Sequence, residues 1–284
     1  MIPAAFEYHR PTDVPSAAAL LRRLGDEARV LAGGHSLIPM MKLRMAAVEH
    51  LIDLQDIASL KGVEIDGNSV TIGAMVTQAE LIAHDGLATL APIIREAALQ
   101  IADPQVRYMG TIGGNVANGD PGNDMPGLMQ ALDARFMLTG PDGTREVTAR
   151  KFYDAAYMTA REEDEILTAV RFTAQPGGYA YEKQKRKIGD YATAAAAVLI
   201  GAEGGRVTRA SIAMTNLSDT PICSDAAASA LIGTDCNAAA VKAATTAALA
   251  DIDPTEDNRG PVEFKRHVAG IIITRAIRRA WSRA

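Results

Sequence analysis

Cysteine is nearly absent from this chain: Cys223 and Cys236 are the only two in 284 residues. An iron–sulfur cluster takes a full set of cysteine thiolates, so none can be built here. A cysteine-rich zinc site is excluded for the same reason. The two thiols read as small buried hydrophobes, and any metal-centred redox chemistry must belong to a partner chain. Positive charge is scarce too. The 29 Lys and Arg against 34 Asp and Glu leave a formal net charge of −5, with no surplus to neutralise nucleic-acid phosphates. No stretch approaches the ~18 apolar residues of a membrane span. The start, MIPAAFEYHRPTDVP, has no basic region followed by an apolar run, so no signal peptide is expected and the cytoplasm is the expected compartment. The fingerprints GxGxxG and GxxxxGK[ST] are also missing, which argues against a Rossmann or P-loop nucleotide site.

What is present is ordinary in bulk, at 48% hydrophobic and 22% charged, and long enough for one large domain or a few smaller ones. The first third alternates strand and helix. Residues 14–34, VPSAAALLRRLGDEARVLAGG, predict an amphipathic helix ended by Gly25 and a strand running into a double glycine. HLIDL (50–54) predicts a buried strand. Asp66-Gly67-Asn68 turns a hairpin between alternating runs, and Gly140-Pro141-Asp142-Gly143 turns another. Residues 87–103 predict one amphipathic helix and 124–134 a second. The composition shifts near 175. Three strands are predicted next, the first carried on through 179–191, and helices follow at 225–233, about 237–250 and 264–281. Three strands followed by helices suggest an α+β domain at 175–284.

Two glycine-rich segments stand out, LAGGHS at 31–36 and GTIGGNVANGDPGND at 110–124. A phosphate-binding loop needs close backbone approach and several N–H groups pointing inward, and glycine permits both without formal positive charge. Ala32-Gly33-Gly34-His35-Ser36 follows a strand and precedes a helical turn, which offers amides and a hydroxyl to a pyrophosphate. Gly110-Thr111-Ile112-Gly113-Gly114-Asn115 can close the other side. Each cluster alone also reads as an ordinary turn; the pair is what suggests a dinucleotide cradle.

LAGGHSLIPMMKLRM, IADPQVRYMGTIGGN, NGDPGNDMP and YEKQKRKIGDYATAAAAV, in that order, resemble the FAD-binding medium subunits of the molybdenum hydroxylases, and among them the carbon monoxide dehydrogenase branch. AGGxS with TIGGN is the specific part of the match, and the resemblance runs the length of the chain. It implies an α+β protein with a two-part FAD-binding domain of the vanillyl-alcohol-oxidase/PCMH-like type, subdomains 1–56 and 57–174. A C-terminal three-stranded sheet with a helix bundle would follow at 175–284. It also implies electron transfer: a large subunit oxidises the substrate at its molybdenum cofactor, and a small subunit relays electrons through [2Fe–2S] clusters. FAD on this chain then passes them to a quinone or another acceptor. The implied assembly is a dimer of heterotrimers, cytoplasmic and able to associate with the inner face of the cell membrane.

By the same resemblance, Ala32 to Ser36 with Leu37 cradle the FAD pyrophosphate from one side and Gly110 to Asn115 from the other, Thr111 and Asn115 donating side-chain hydrogen bonds. Ile101, Ala102, Ile166 and Thr77 lie near the cofactor, and Tyr191 near the isoalloxazine. Asp124 is expected at the adenosine part or, read locally, as a helix N-cap. Tyr179, Tyr181, Lys183, Lys185 and Lys187 alternate along one face. The lysines read as solvated, except that the resemblance brings Lys183 or Lys185 to the flavin ring. The acidic run 161–165, REEDE, reads as an exposed loop. His35 leaves two options, since a Gly-Gly-His histidine carries covalent flavin in oxidases of the broader superfamily, whereas the resemblance implies non-covalent FAD. No residue of this chain is expected to act on the substrate or bind a metal. The rival readings are a medium subunit serving an aldehyde or N-heterocycle hydroxylase, a self-sufficient flavin oxidase, and a non-catalytic FAD-dependent scaffold.

Overall fold

The computed structural model describes residues 2–284. The chain builds three bodies in succession. The first holds β1 (Glu7–His9), α1 (Val14–Leu24), β2 (Ala28–Leu31), α2 (Leu37–Lys42) and β3 (His50–Asp53), the strands forming a parallel sheet in the order β1-β3-β2. The Asp13 side chain caps α1 by accepting from the Ser16 amide at 2.8 Å, and Gly25 at φ +53° ends it, as the sequence predicts. The helix buries Val14, Ala17, Ala18 and Leu21 against Ile52, Leu54 and Ile57.

The second body begins with the predicted hairpin β4 (Val63–Asp66) and β5 (Ser69–Gly73). Six short helices follow: α3 (Gln78–Ala83), α4 (Asp85–Leu90), α5 (Pro92–Ala98), α6 (Pro104–Met109), α7 (Ile112–Ala117) and α8 (Asp124–Ala131). Then come β6 (Arg135–Gly140), β7 (Gly143–Thr148), β8 (Tyr153–Ala155), β9 (Met158–Thr159) and β10 (Ile166–Thr173). Five of these strands make an antiparallel sheet in the order β4-β5-β10-β6-β7. The single helix expected over 87–103 is broken. Ala91 sits at φ −139°, ψ 60° ahead of Pro92, because proline excludes its predecessor from the helical region and lacks an N–H to continue the ladder.

The third body holds β11 (Gly178–Gln184), β12 (Ala194–Glu203), β13 (Arg206–Thr215) and β14 (Ile222–Cys223), then α9 (Asp225–Leu231), α10 (Ala238–Asp251) and α11 (Val262–Trp281). The sheet has the three predicted strands plus a two-residue edge strand, β14. Its middle strand explains the alanine run. Ala195 and Ala197 face the helices of the second body, while Ala194, Ala196 and Val198 face α10 and α11. Small residues let helical layers close on both sides of one sheet. At Gly127 of α8 a Cβ would stand 2.3 Å from the Thr215 hydroxyl oxygen. The first strand is shorter than expected. It ends at Gln184, and Gly189, at φ +80° and packed against the Ala102 backbone, folds the following loop across the second body. Lys185 and Lys187 therefore lie beyond the end of the strand that carries Tyr181 and Lys183.

Candidate cofactor site

A cavity of about 790 Å³ is lined by residues from all three bodies. That volume falls in the upper part of the range for small-molecule and cofactor sites, roughly 300–1,000 Å³. The first body supplies the turn after β2. There the chain passes so close to the 109–110 segment that a Cβ on Gly33 would lie 2.1 Å from the Met109 carbonyl oxygen. Gly34 follows at φ +77°, a conformation that favours glycine. Among the described residues, the backbone N–H groups of residues 33–37 have neither a backbone nor a side-chain acceptor. Ala32, Gly33, Gly34, His35, Ser36 and Leu37 all line the cavity. This is a run of free donors on a concave wall, the arrangement an anion needs.

The facing loop is built differently. Thr111 caps α7 by accepting from the Gly114 amide at 3.0 Å. The amides of Ile112, Gly113 and Asn115 donate to the carbonyls of Val76, Ala74 and Thr111. With these amides committed, the groups left for a ligand are the Thr111 backbone N–H and hydroxyl proton and the Asn115 side-chain amide nitrogen. The Asn115 Oδ1 is engaged by the Met125 amide at 3.3 Å. Gly110, Thr111, Gly113, Gly114 and Asn115 line the cavity. Ile112 does not: it is fully buried in the core of the second body. Thr77 is also off the wall. It caps α3 in a reciprocal box with Glu80 and bridges to Thr111, so it braces the loop from behind.

Ile101, Ala102, Asp124, Ile166, Lys183 and Tyr191 complete the wall, and Lys185 is not on it. Lys185 instead reaches the Gln100 Oε1 at 3.5 Å. Asp124 is not the N-cap of α8: Asn123 occupies that position. The Asp124 carboxylate accepts from the Tyr181 hydroxyl at 2.5 Å and from Lys183 Nζ at 2.8 Å. The Lys183 and Asp124 side chains are only 1% and 6% exposed, which overturns the solvated reading of Lys183. Burial pushes the Asp124 carboxyl up, against the opposing pull of Lys183 and Tyr181. Burial and the Asp124 charge push the Tyr181 phenol well above its ordinary range.

Two features escaped the sequence. Gln78, 1% exposed, lies on the cavity wall with neither amide atom hydrogen-bonded among the described residues. Directly after a capping threonine it reads as a solvent-facing residue of a first helical turn, and no local signal turns it inward. The run 161–165 is a loop with Glu162 and Glu163 exposed, as expected, but its two ends, Arg161 and Glu165, turn inward. Arg161 donates to the carbonyls of Glu162 (2.6 Å), Glu163 (3.3 Å) and Glu165 (2.9 Å). Arg145 pairs with the Glu165 carboxylate at 2.6 Å, and Glu165 is buried. Burial disfavours the Glu165 charge, but Arg145, the Glu162 amide and Arg161 together hold its carboxyl below the usual range. A depressed carboxylate stabilises above its unfolded value, about 4.3, and that contribution is lost as pH falls through the lower folded value. Acid unfolding followed by circular dichroism should therefore show a component that Glu165→Gln removes.

The family described as the FAD binding domain in molybdopterin dehydrogenase matches residues 4–174. The chain belongs to this flavoprotein family. Residues 179–280 match the CO dehydrogenase flavoprotein C-terminal domain. The carbon monoxide dehydrogenase medium chain of Afipia carboxidovorans is 55% identical over 286 residues, covering 100% of this chain and 99% of the relative. That of Hydrogenophaga pseudoflava is 47% identical, with coverage of 100% and 99%. Among solved structures, a chain of reconstituted CO dehydrogenase from Oligotropha carboxidovorans superposes with a TM-score of 0.99 at 55% identity, each chain covered at 100%.

The cavity suits the family's cofactor on its own terms. Free amides at 33–37 answer a pyrophosphate. The unpaired Gln78 amide answers a polar edge, being costly to leave buried without a partner. Ile101, Ala102 and Ile166 present apolar surface of the kind an aromatic ring system needs.

Proposed function

We propose that this chain is the electron-exit subunit of a molybdenum-containing carbon monoxide dehydrogenase, holding FAD non-covalently. The observation that carries the reading is the run of unpaired amides at 33–37 facing the Thr111 and Asn115 side chains across one cavity. When bound, FAD supplies redox chemistry that can collect electrons singly and deliver them in pairs. Residues 33–37 would hold its pyrophosphate through backbone N–H groups, with the Thr111 hydroxyl and the Asn115 amide donating from the other side. Asp124 and Lys183 form one ion pair, so they serve one part of an extended dinucleotide. The reading places both at the flavin ring with Tyr191, and withdraws Asp124 from the adenosine. Lys183 then brings a fixed cation to the ring, compensated in its absence by Asp124. Gln78, Ile101, Ala102 and Ile166 orient the ring and exclude water.

Electrons come from elsewhere. With two cysteines in the sequence, the clusters and the molybdenum cofactor lie on a small and a large partner subunit. The reading extends to a dimer of such heterotrimers in the cytoplasm, able to associate with the inner membrane face, and to a quinone as acceptor. The chain itself has no helix among the described residues long and apolar enough to cross a membrane.

Titration of the FAD-free chain tests the cofactor assignment. One FAD should bind per chain and be released by acid precipitation; colour that stays with the precipitate would mean a bond to His35. Gln78→Leu separates the binding role from a folding role. Removing two unsatisfied buried atoms should hold or raise the melting temperature of the FAD-free chain. Losing a cofactor hydrogen bond should weaken FAD binding by about tenfold, on the order of 1.4 kcal/mol. Unchanged FAD affinity in that variant contradicts the assignment of Gln78.

A further inference from the structure

Away from the cavity, one group of side chains combines metal-ligand chemistry with metal-ligand spacing. β1 runs parallel to β3 with Glu7 opposite His50 and His9 opposite Ile52. Residues two apart on a strand share a face, so Glu7, His9 and His50 project on the same side as Ile52. That is the core side of the sheet, where Ile52 is buried with Val14, Ala17 and Ala18 of α1. A face that begins as apolar core therefore continues as a carboxylate and two imidazoles. His9 Nε2 and His50 Nδ1 are 3.1 Å apart, and a Glu7 carboxylate oxygen lies 3.4 Å from His50 Nδ1. All three ligand atoms fall within 4.8 Å of one another.

One proton shared between two rings satisfies a single contact, whereas a cation satisfies all three at once. With metal–nitrogen bonds of about 2.0–2.1 Å, neighbouring ligands of a tetrahedral or octahedral centre stand about 3.0–3.4 Å apart, the spacing of the His9–His50 and His50–Glu7 contacts here. Two imidazoles and a carboxylate suit Zn²⁺ and its first-row neighbours better than Mg²⁺ or Ca²⁺, which prefer all-oxygen sites. The nearby cation in sequence, Arg10, is taken up by Asp56 at 2.7 Å. The His50 side chain is 16% exposed and that of Glu7 74%, which leaves a route for the ion and a position for water.

The geometry points to Glu7, His9 and His50 as a three-ligand site for Zn²⁺ or a similar divalent ion, completed by water. Bound there, the ion ties the edge strand β1 to β3. β3 pairs on its other side with β2, the strand that leads into the free amides of 33–37, so the ion stiffens the sheet from which that loop departs. The role is structural and involves no electron transfer.

The test uses the untagged full-length chain, stripped with a chelator, with Co²⁺ as the spectroscopic probe. One Co²⁺ per chain should bind with visible d–d bands, Zn²⁺ should displace it, and Zn²⁺ should raise the melting temperature. His9→Gln and His50→Gln should lose both the bands and the thermal response. Glu7→Gln, at an exposed position that tolerates substitution, should weaken binding by at least ~10-fold, the lower end of what even outer-shell partners contribute. Wild-type chain without bands at stoichiometric Co²⁺ overturns the site. So does binding that survives the histidine substitutions, or a Glu7→Gln affinity equal to wild type.

Discussion

Gly33→Val should leave the chain folded but colourless. The new Cβ would be 2.1 Å from the Met109 carbonyl oxygen and 2.8 Å from the Gly110 Cα, far inside contact distance, and both obstacles are backbone. The strands and helices carrying these segments are held by separate cores, so the two glycine loops must part. Overpacking of this kind costs about 1–3 kcal/mol. Spent on the spacing between the two halves of the cradle, it should weaken FAD binding by up to ~150-fold. Two glycines serve as controls. At Gly114 a Cβ would meet the Thr111 hydroxyl oxygen at 2.9 Å and the Ala32 Cβ at 3.4 Å, so Gly114→Ala disturbs a helix cap and should weaken FAD binding less. At Gly67, φ is +56° and nothing lies within 4 Å. Gly67→Ala should therefore cost stability alone, about 1 kcal/mol, with FAD affinity unchanged. Equilibrium FAD titration of the three variants gives the order directly.

Lys183→Met should be the most destabilising substitution in the site. It leaves the Asp124 carboxylate buried with the Tyr181 hydroxyl as its remaining partner. Removing one member of a buried pair costs about 3–5 kcal/mol, chiefly through the uncompensated charge left behind. Asp124→Asn in the same chain should restore most of that loss, so the double variant should be far more stable than the sum of the two single effects. The pH dependence follows in sign. Burial already pushes the Asp124 carboxyl up with Lys183 in place, and removing the cation raises it further. A group whose folded value is raised contributes stability that is present below its unfolded value and lost as pH rises through the folded one. The Lys183→Met chain should accordingly be closest to wild type in mild acid and fall behind toward neutrality. Urea unfolding at several pH values measures both the cycle and the trend.

The parts of this molecule legible in the sequence are those set by local chemistry. Gly25 ending α1, the Gly67 turn and the double glycine after β2 follow from backbone conformations that side chains restrict. The Pro92 break was equally local, and the apolar periodicity of 87–103 hid it. Polar burial was not legible. Gln78, Glu165 and Lys183 carry side chains that read as solvated, and for the two charged ones a distant residue turns them inward. For Lys183 it is Asp124 on α8; for Glu165, Arg145 on β7. Which of the two lysines lines the cavity is likewise decided by distant contacts: Lys183 reaches Asp124 on α8, whereas Lys185, past the end of β11, reaches Gln100. Resemblance named the two glycine loops together, but only the hydrogen bonds show that they differ: the amides of 33–37 have no acceptor among the described residues, whereas those of 112–115 are all taken within the fold.

The central claim is that this chain carries electrons out of a carbon monoxide-oxidising complex. The most direct test is to purify the complex from its host through this subunit and mix it with carbon monoxide under anaerobic conditions, following the flavin absorbance. Flavin bleaching in the complex, with none in the isolated FAD-loaded chain, is the predicted result. A complex with no molybdenum or iron–sulfur partner, or flavin that stays oxidised while carbon monoxide is consumed, would contradict it.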